Sequence, residues 1–145
     1  MPSTTPRASF VLPVRVYYED TDAAGIVYYA NYLKYFERAR SEWLRALGFE
    51  QRGLAELGIA FAARSIAVEY LKPARLDDAL NVVSEIESLG RAQIVFAQRV
   101  LRQADGELLL TSSMRIACIA TAGMRPAAMP QDIYQTFKAL TGKSA

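Results

Sequence analysis

Apolar residues along this chain keep two different periods, and the change from one to the other organises it. Between residues 31 and 47 they recur at four- and three-residue steps as Tyr32, Phe36, Ala39, Trp43 and Leu47, with Leu33, Arg40 and Leu44 beside them. That spacing predicts a helix. Asn31 suits its N-cap and Gly48 the left-handed position just past its end. Lys34, Glu37, Arg38 and Glu42 share the opposite face, which is expected to meet solvent or a partner. Residues 49–57 predict a short second helix that stops at Gly58.

After Gly58 the period becomes two. Strands are expected over residues 59–71, 80–89, 93–101 and 108–120, with a corner at Lys72-Pro73-Ala74 and hairpin turns at Gly90-Arg91 and Asp105-Gly106. Ahead of the helix, residues 9–18 (SFVLPVRVYY) read as a first strand, placed at a sheet edge or bulged by Pro13. Residues 123–130 read as a Met- and Pro-rich linker, and residues 132–140 as a terminal helix. Strand, long apolar helix, then antiparallel strands is an α+β pattern, one helix packed on one sheet. A sheet covered on one side leaves edges and an outer face that association would cover.

At 145 residues the chain is most simply one domain, residues 9–145, behind a loose polar tail over residues 1–8. The tail lacks the apolar core of a signal peptide, and no apolar run reaches the roughly 18 residues of a membrane span. The single cysteine, Cys118, sits in an alternating apolar run and reads as a core residue, not a nucleophile. These features point to the reducing cytoplasm. A net charge of +2 with scattered basic residues does not favour nucleic acid as a partner.

The absence of histidine restricts the chemistry most. Histidine-dependent triads, general bases and zinc sites are all excluded, and one cysteine cannot build a thiolate metal site. An enzyme made from this chain must use carboxylates for proton transfer or nucleophilic attack, and no metal or prosthetic group is expected. Glu19, Asp20 and Asp22 cluster in VYYEDTDAAGIVYYANY, residues 16–32. Asp22 lies too far before the helix to cap it. The intervening AAGIVYY is apolar and aromatic, so it is expected to turn inward and line a pocket at the helix N-terminus. Backbone N–H groups near Tyr29 and Ala30 would be unpaired there. A carboxylate beside an oriented N–H donor is a minimal kit for acyl transfer. Glu19 and Asp20 are expected to hold the turn.

The stretch DTDAAGIVYYANY followed by YFERARSEWLR resembles the 4-hydroxybenzoyl-CoA thioesterase-like family, most closely its Tol-Pal-associated acyl-CoA thioesterase branch. The resemblance continues through EYLKPARLDD and GELLL, so it covers nearly the whole chain. It implies a hotdog fold, a five- or six-stranded antiparallel sheet wrapped around the long helix. It also implies homodimers whose sheets continue across the interface with the sites there, commonly paired into homotetramers. The family's catalytic carboxylate falls on Asp22, as nucleophile or as general base. The backbone N–H that polarises the thioester carbonyl falls on Tyr29. Many members of the Tol-Pal branch carry histidine where this chain has Tyr29, so their acyl preference, aliphatic or aryl, does not carry across.

Tyr28, Tyr29 and Tyr32 are candidates for a wall against the acyl group. Arg91 is the preferred candidate for the phosphates of CoA, with Arg64, Lys72 and Arg75 also available. The expected partner is acyl-CoA, or an acylated acyl carrier protein. A hotdog dehydratase would want a histidine. A non-catalytic binding module for acyl-CoA or acyl carrier protein remains the alternative reading.

Overall fold

The structure, a computed structural model, describes residues 8–141. Strand β1 (Ser9–Arg15) leads through two short 3-10 turns, Tyr18–Asp20 and Tyr29–Asn31, into α1 (Tyr32–Ala46) and then α2 (Gln51–Glu56). Strands β2 (Ile59–Tyr70), β3 (Ala79–Leu89), β4 (Gln93–Arg102) and β5 (Leu108–Ala120) follow, then the two-residue β6 (Arg125–Pro126) and α3 (Gln131–Leu140). All pair antiparallel in one sheet ordered β1-β3-β4-β5-β2, with β6 on β5. Pro13 sits in β1, an edge strand, where a missing N–H is tolerated.

Helix α1 covers the inner face of this sheet. Tyr32, Tyr35, Phe36, Ala39, Trp43 and Leu44 are its buried residues. They divide between two apolar clusters. Tyr32, Tyr35, Phe36 and Ala39 pack with Leu80, Val82, Val100 and Leu110. Trp43 and Leu44 pack with Ile86, Ile94, Phe96, Met114, Ile116 and Cys118. Between the clusters runs a polar row, since Ser84 faces Gln98 and Gln98 faces Ser112 across adjacent strands. The buried Gln98 amide donates to Ser84 Oγ (2.9 Å) and to the Phe36 carbonyl of α1 (3.0 Å), and Ser112 Oγ donates to the Gln98 carbonyl (3.0 Å). This row latches the helix to the sheet at one register, because a slip would strand buried polar groups.

The structure corrects several expectations. The first strand ends at Arg15 because Tyr18–Asp20 winds into a 3-10 turn. Asn31 does precede α1 but its side chain caps nothing, since it is drawn onto Asp20 instead. The 123–130 linker contains β6. Leu47 is only partly buried, whereas Tyr35, absent from the expected stripe, is fully enclosed. Of the expected N-terminal tail only Ala8 is described, and its N–H donates to the Leu140 carbonyl (3.1 Å); the rest lies outside the described residues.

Candidate active site

The segment between β1 and α1 folds as a miniature hairpin. The Tyr28 N–H donates to the Asp20 carbonyl (3.0 Å), Thr21 bridges Val27, and the Asp22 N–H donates to the Ile26 carbonyl (2.9 Å). Its tip is the turn Asp22 to Gly25, closed by the Gly25 N–H on the Asp22 carbonyl (3.0 Å) with Gly25 at φ +77°. Glycine takes that conformation without penalty. One flank is tied to the corner after β2, where Val27 N–H donates to the Ala74 carbonyl (2.9 Å) and Ile26 bridges Arg75.

Asp22 is exposed at this tip. Its Oδ1 accepts the Ala24 N–H (2.9 Å), and no partner for Oδ2 is found among the described residues. It borders an open hollow of about 460 Å³ with Tyr18, Thr21, Ala23, Gly25 and Leu76. Tyr29 begins the second 3-10 turn, three residues beyond Ile26 and so at most about 10 Å of chain away. Among the described residues its N–H has no partner. Its carbonyl accepts the Tyr70 hydroxyl (2.9 Å), which fixes the peptide plane at the helix start.

The tyrosines gather here as expected, but in two environments. Tyr32 is buried and its hydroxyl accepts the Ala74 N–H (3.0 Å); burial pushes that phenol up, so it stays neutral. The Tyr28 and Tyr29 rings lie 4.8 Å apart, tilted by 48°, and are 47% and 63% exposed, enough to contact a ligand directly. The expectation that residues 23–29 turn inward is therefore overturned: only Val27 is buried. The turn satisfies its own polar groups, and one inward side chain is all that this short ladder can supply.

Asp20 has a structural place, as expected. Buried at 7% exposure, its carboxylate accepts the Tyr17 N–H (2.8 Å) and the Asn31 side-chain amide (2.6 Å). It thereby fastens the end of β1 to the start of α1, across the hairpin that carries Asp22. The Tyr35 hydroxyl, buried beside it, does not reach hydrogen-bonding geometry; burial and then the Asp20 charge push it well above the usual range. Glu19 is exposed. Asp20→Ala strands the buried Asn31 amide and the part-buried Tyr17 N–H and is expected to lower unfolding stability by about 1–3 kcal/mol. Thermal unfolding checks this: a melting temperature within a degree of wild type would remove the clamp.

Arg91 does not meet Asp22 within one chain. It lies at the β3–β4 turn, whereas the hairpin packs near Asp78, at the other end of β3 roughly 30 Å away. Its guanidinium donates to Gln131 Oε1 (3.0 Å) and stacks on the Tyr134 ring at 4.6 Å. Arg75 is the basic residue the fold brings beside the hairpin, Lys72 is paired with Glu107, and Arg64 is exposed on β2. Cys118 is fully buried, with its thiol pushed up by burial, as a core residue should be. Among the described residues no group of three or more metal-ligating side chains is found, and no helix is long and apolar enough to cross a membrane.

Residues 16–137 match the family model described as the thioesterase-like superfamily. The chain belongs to that superfamily. Among members of the thioesterase-like superfamily, it is 45% identical over 129 residues to the acyl-CoA thioester hydrolase YbgC of Escherichia coli O157:H7, covering 89% of this chain and 96% of that one. It is 43% identical over 129 residues to the acyl-CoA thioesterase YbgC of Haemophilus influenzae, covering 88% and 93%. The crystal structure of a 1,4-dihydroxy-2-naphthoyl-CoA thioesterase from Synechocystis superposes with a TM-score of 0.85 over 92% of this chain and 98% of that one. At 23% identity that likeness bears on the fold alone, which is the hotdog arrangement of long helix and curled antiparallel sheet.

Sequence reasoning missed the Asp20–Asn31 tie, the Tyr70 hydroxyl on Tyr29 and the Gln98 row. Tyr35 was readable, standing three residues after Tyr32 on the same face. The others join residues far apart in sequence, and no period marks them.

Proposed function

We propose that this chain is an acyl-CoA thioesterase, hydrolysing an acyl-CoA to the free acid and CoA, with Asp22 as its catalytic carboxylate. The carrying observation is the exposed Asp22 carboxylate on the same short segment as the Tyr29 N–H, with one carboxylate oxygen and that N–H both lacking a partner among the described residues. The thioesterase names of its relatives support the reading. The Tyr29 N–H takes charge from the thioester oxygen as the carbonyl carbon becomes tetrahedral. Asp22 either bonds to that carbon, expelling the CoA thiolate and leaving an anhydride that water opens, or removes a proton from the attacking water. Tyr28 and Tyr29 border the acyl group, and Tyr32 backs Tyr29 through the Tyr70 ring that both contact.

The protein works in the cytoplasm as a homodimer or a pair of dimers. The open edge of β2 and the exposed Tyr17, Tyr18, Tyr70 and Leu71 favour coverage by a second copy. Arg91, distant from its own Asp22, would serve CoA bound at a neighbouring copy's site, while Arg75 stands beside its own. The test is thiol release over a panel of aliphatic and aryl CoA thioesters, with acylated acyl carrier protein alongside. Turnover of one acyl class identifies the substrate. Tight binding of every ester with no thiol released would make the chain a binding module and end the proposal.

A further inference from the structure

Asp20 touches the segment that carries the Tyr29 N–H at two points. Its backbone carbonyl accepts the Tyr28 N–H (3.0 Å), and its Oδ1 accepts the Asn31 side-chain amide (2.6 Å). The Asn31 backbone N–H in turn donates to the Tyr28 carbonyl (2.8 Å). That carbonyl and the Tyr29 N–H are the two ends of one planar peptide, so fixing the first aims the second. A hydrogen bond on the carbonyl also polarises the peptide and strengthens its N–H as a donor.

The same residue is in register with the exposed carboxylate. Asp22 stands two positions beyond Asp20, at most about 7 Å of chain. Its side of the hairpin is held by Thr21 on Val27 and by the Asp22 N–H on the Ile26 carbonyl (2.9 Å). Asp20 is itself anchored to the end of β1, its Oδ2 accepting the Tyr17 N–H (2.8 Å) and its own N–H donating to the Tyr17 carbonyl (3.0 Å). A plain tie at a strand end would not need this chemistry. No cation lies within ion-pair distance of this buried carboxylate among the described residues. Burying a charge without an opposite one costs stability, and a neutral side chain could satisfy Tyr17. What the carboxylate adds is a second oxygen, and with it a charge-assisted grip on Asn31.

We propose that Asp20 and Asn31 are a positioning pair for thioester hydrolysis, holding the Tyr28–Tyr29 peptide so that its N–H and the Asp22 carboxylate converge on one carbonyl group. The inference rests on the thioesterase reading of this site and deepens it. Neither residue of the pair touches substrate; both act through the peptide that Asn31 and Asp20 bracket. A displacement of about 1 Å between reacting groups can cost about 10² in rate. Loss of the pair should therefore fall on kcat, with KM left in place.

Asn31→Ala removes the side-chain amide and keeps the backbone N–H on the Tyr28 carbonyl. Thiol release is measured on the full-length protein, well below the melting temperature of each variant, with the best substrate of the CoA thioester panel. For Asn31→Ala, kcat should fall about 10- to 100-fold while KM stays within about threefold of wild type. A merely structural tie would lower the melting temperature and leave the kcat of the folded protein intact. Exchanging the pair, Asp20→Asn with Asn31→Asp, rebuilds it in reverse: the amide at position 20 can accept from Tyr17 and donate to the carboxylate at position 31. The exchange should return kcat to the wild-type order of magnitude. Wild-type kcat in Asn31→Ala, a rise in KM that accounts for the loss, or an exchange that regains the melting temperature without regaining kcat would each overturn the inference. Two controls separate it from the reading beneath: wild type must release thiol, and Asp22→Asn must lose that activity. If either control fails, the thioesterase reading falls and the positioning role falls with it. Should Asn31→Ala not fold, Asn31→Gln, which keeps the amide but displaces it by one methylene, must show the same loss of kcat.

Discussion

Asp22→Asn is expected to cut the turnover number for thioester hydrolysis by at least about 10²–10³, the scale on which loss of one transition-state partner is felt. The substitution isolates charge from shape. An asparagine Oδ1 can still accept the Ala24 N–H, so the turn from Asp22 to Gly25 keeps its closing contacts. The chain has no histidine, and the neighbouring carboxylates are poorly placed to substitute: Asp20 is buried in its clamp and Glu19 points into solvent. In the proposed mechanism the carboxylate acts on the reacting carbon or its water, so kcat and kcat/KM should fall together while KM stays near its wild-type value. Thiol release under saturating substrate measures this directly. A variant within a few-fold of wild type would remove Asp22 from the chemistry, whatever its relatives are called.

The parts of this molecule that were legible in its sequence are those whose burial repeats. The 3.6-residue stripe through Phe36, Ala39 and Trp43 located α1 to within a residue, and the two-residue alternation of β3, β4 and β5 did the same for the sheet. The parts of the candidate site were legible in kind: a carboxylate and an open N–H before a helix. Its shape was not. Residues 23–29 look like pocket lining because they are apolar, yet a four-residue turn cannot bury its own side chains, and only Val27 reaches the core. Asn31 carries an N-cap composition, but a buried carboxylate eleven positions earlier competes for its amide more strongly than an exposed helix end does. Arg91 is a reasonable phosphate ligand by residue type. Only the topology shows it at the opposite end of β3 from the hairpin.

The other half of the proposed chemistry has no side chain, and that makes it unusually testable. Tyr29→Phe is expected to leave turnover within a few-fold of wild type, because the phenol is exposed and the donor is the peptide N–H. Tyr29→Pro, in contrast, deletes that donor together with the aromatic ring, so Tyr29→Ala, which loses the ring and keeps the N–H, is its reference. The backbone is suited to it: Tyr28 lies at φ −60° and ψ 133°, the extended conformation that a residue before proline prefers, and Tyr29 opens a 3-10 turn. The first position of a helical turn accepts a φ near −65° and has no internal use for its N–H. The Tyr70 hydroxyl can still reach the residue 29 carbonyl. Folding should therefore persist, while turnover falls by about 10²–10³, the cost of one oxyanion donor. Far-ultraviolet circular dichroism and thermal unfolding establish that the variant is intact, and thiol release compared with Tyr29→Ala then measures the donor. A folded Tyr29→Pro protein that turns over like wild type would move the oxyanion site elsewhere, with the Ala30 N–H the next group in line.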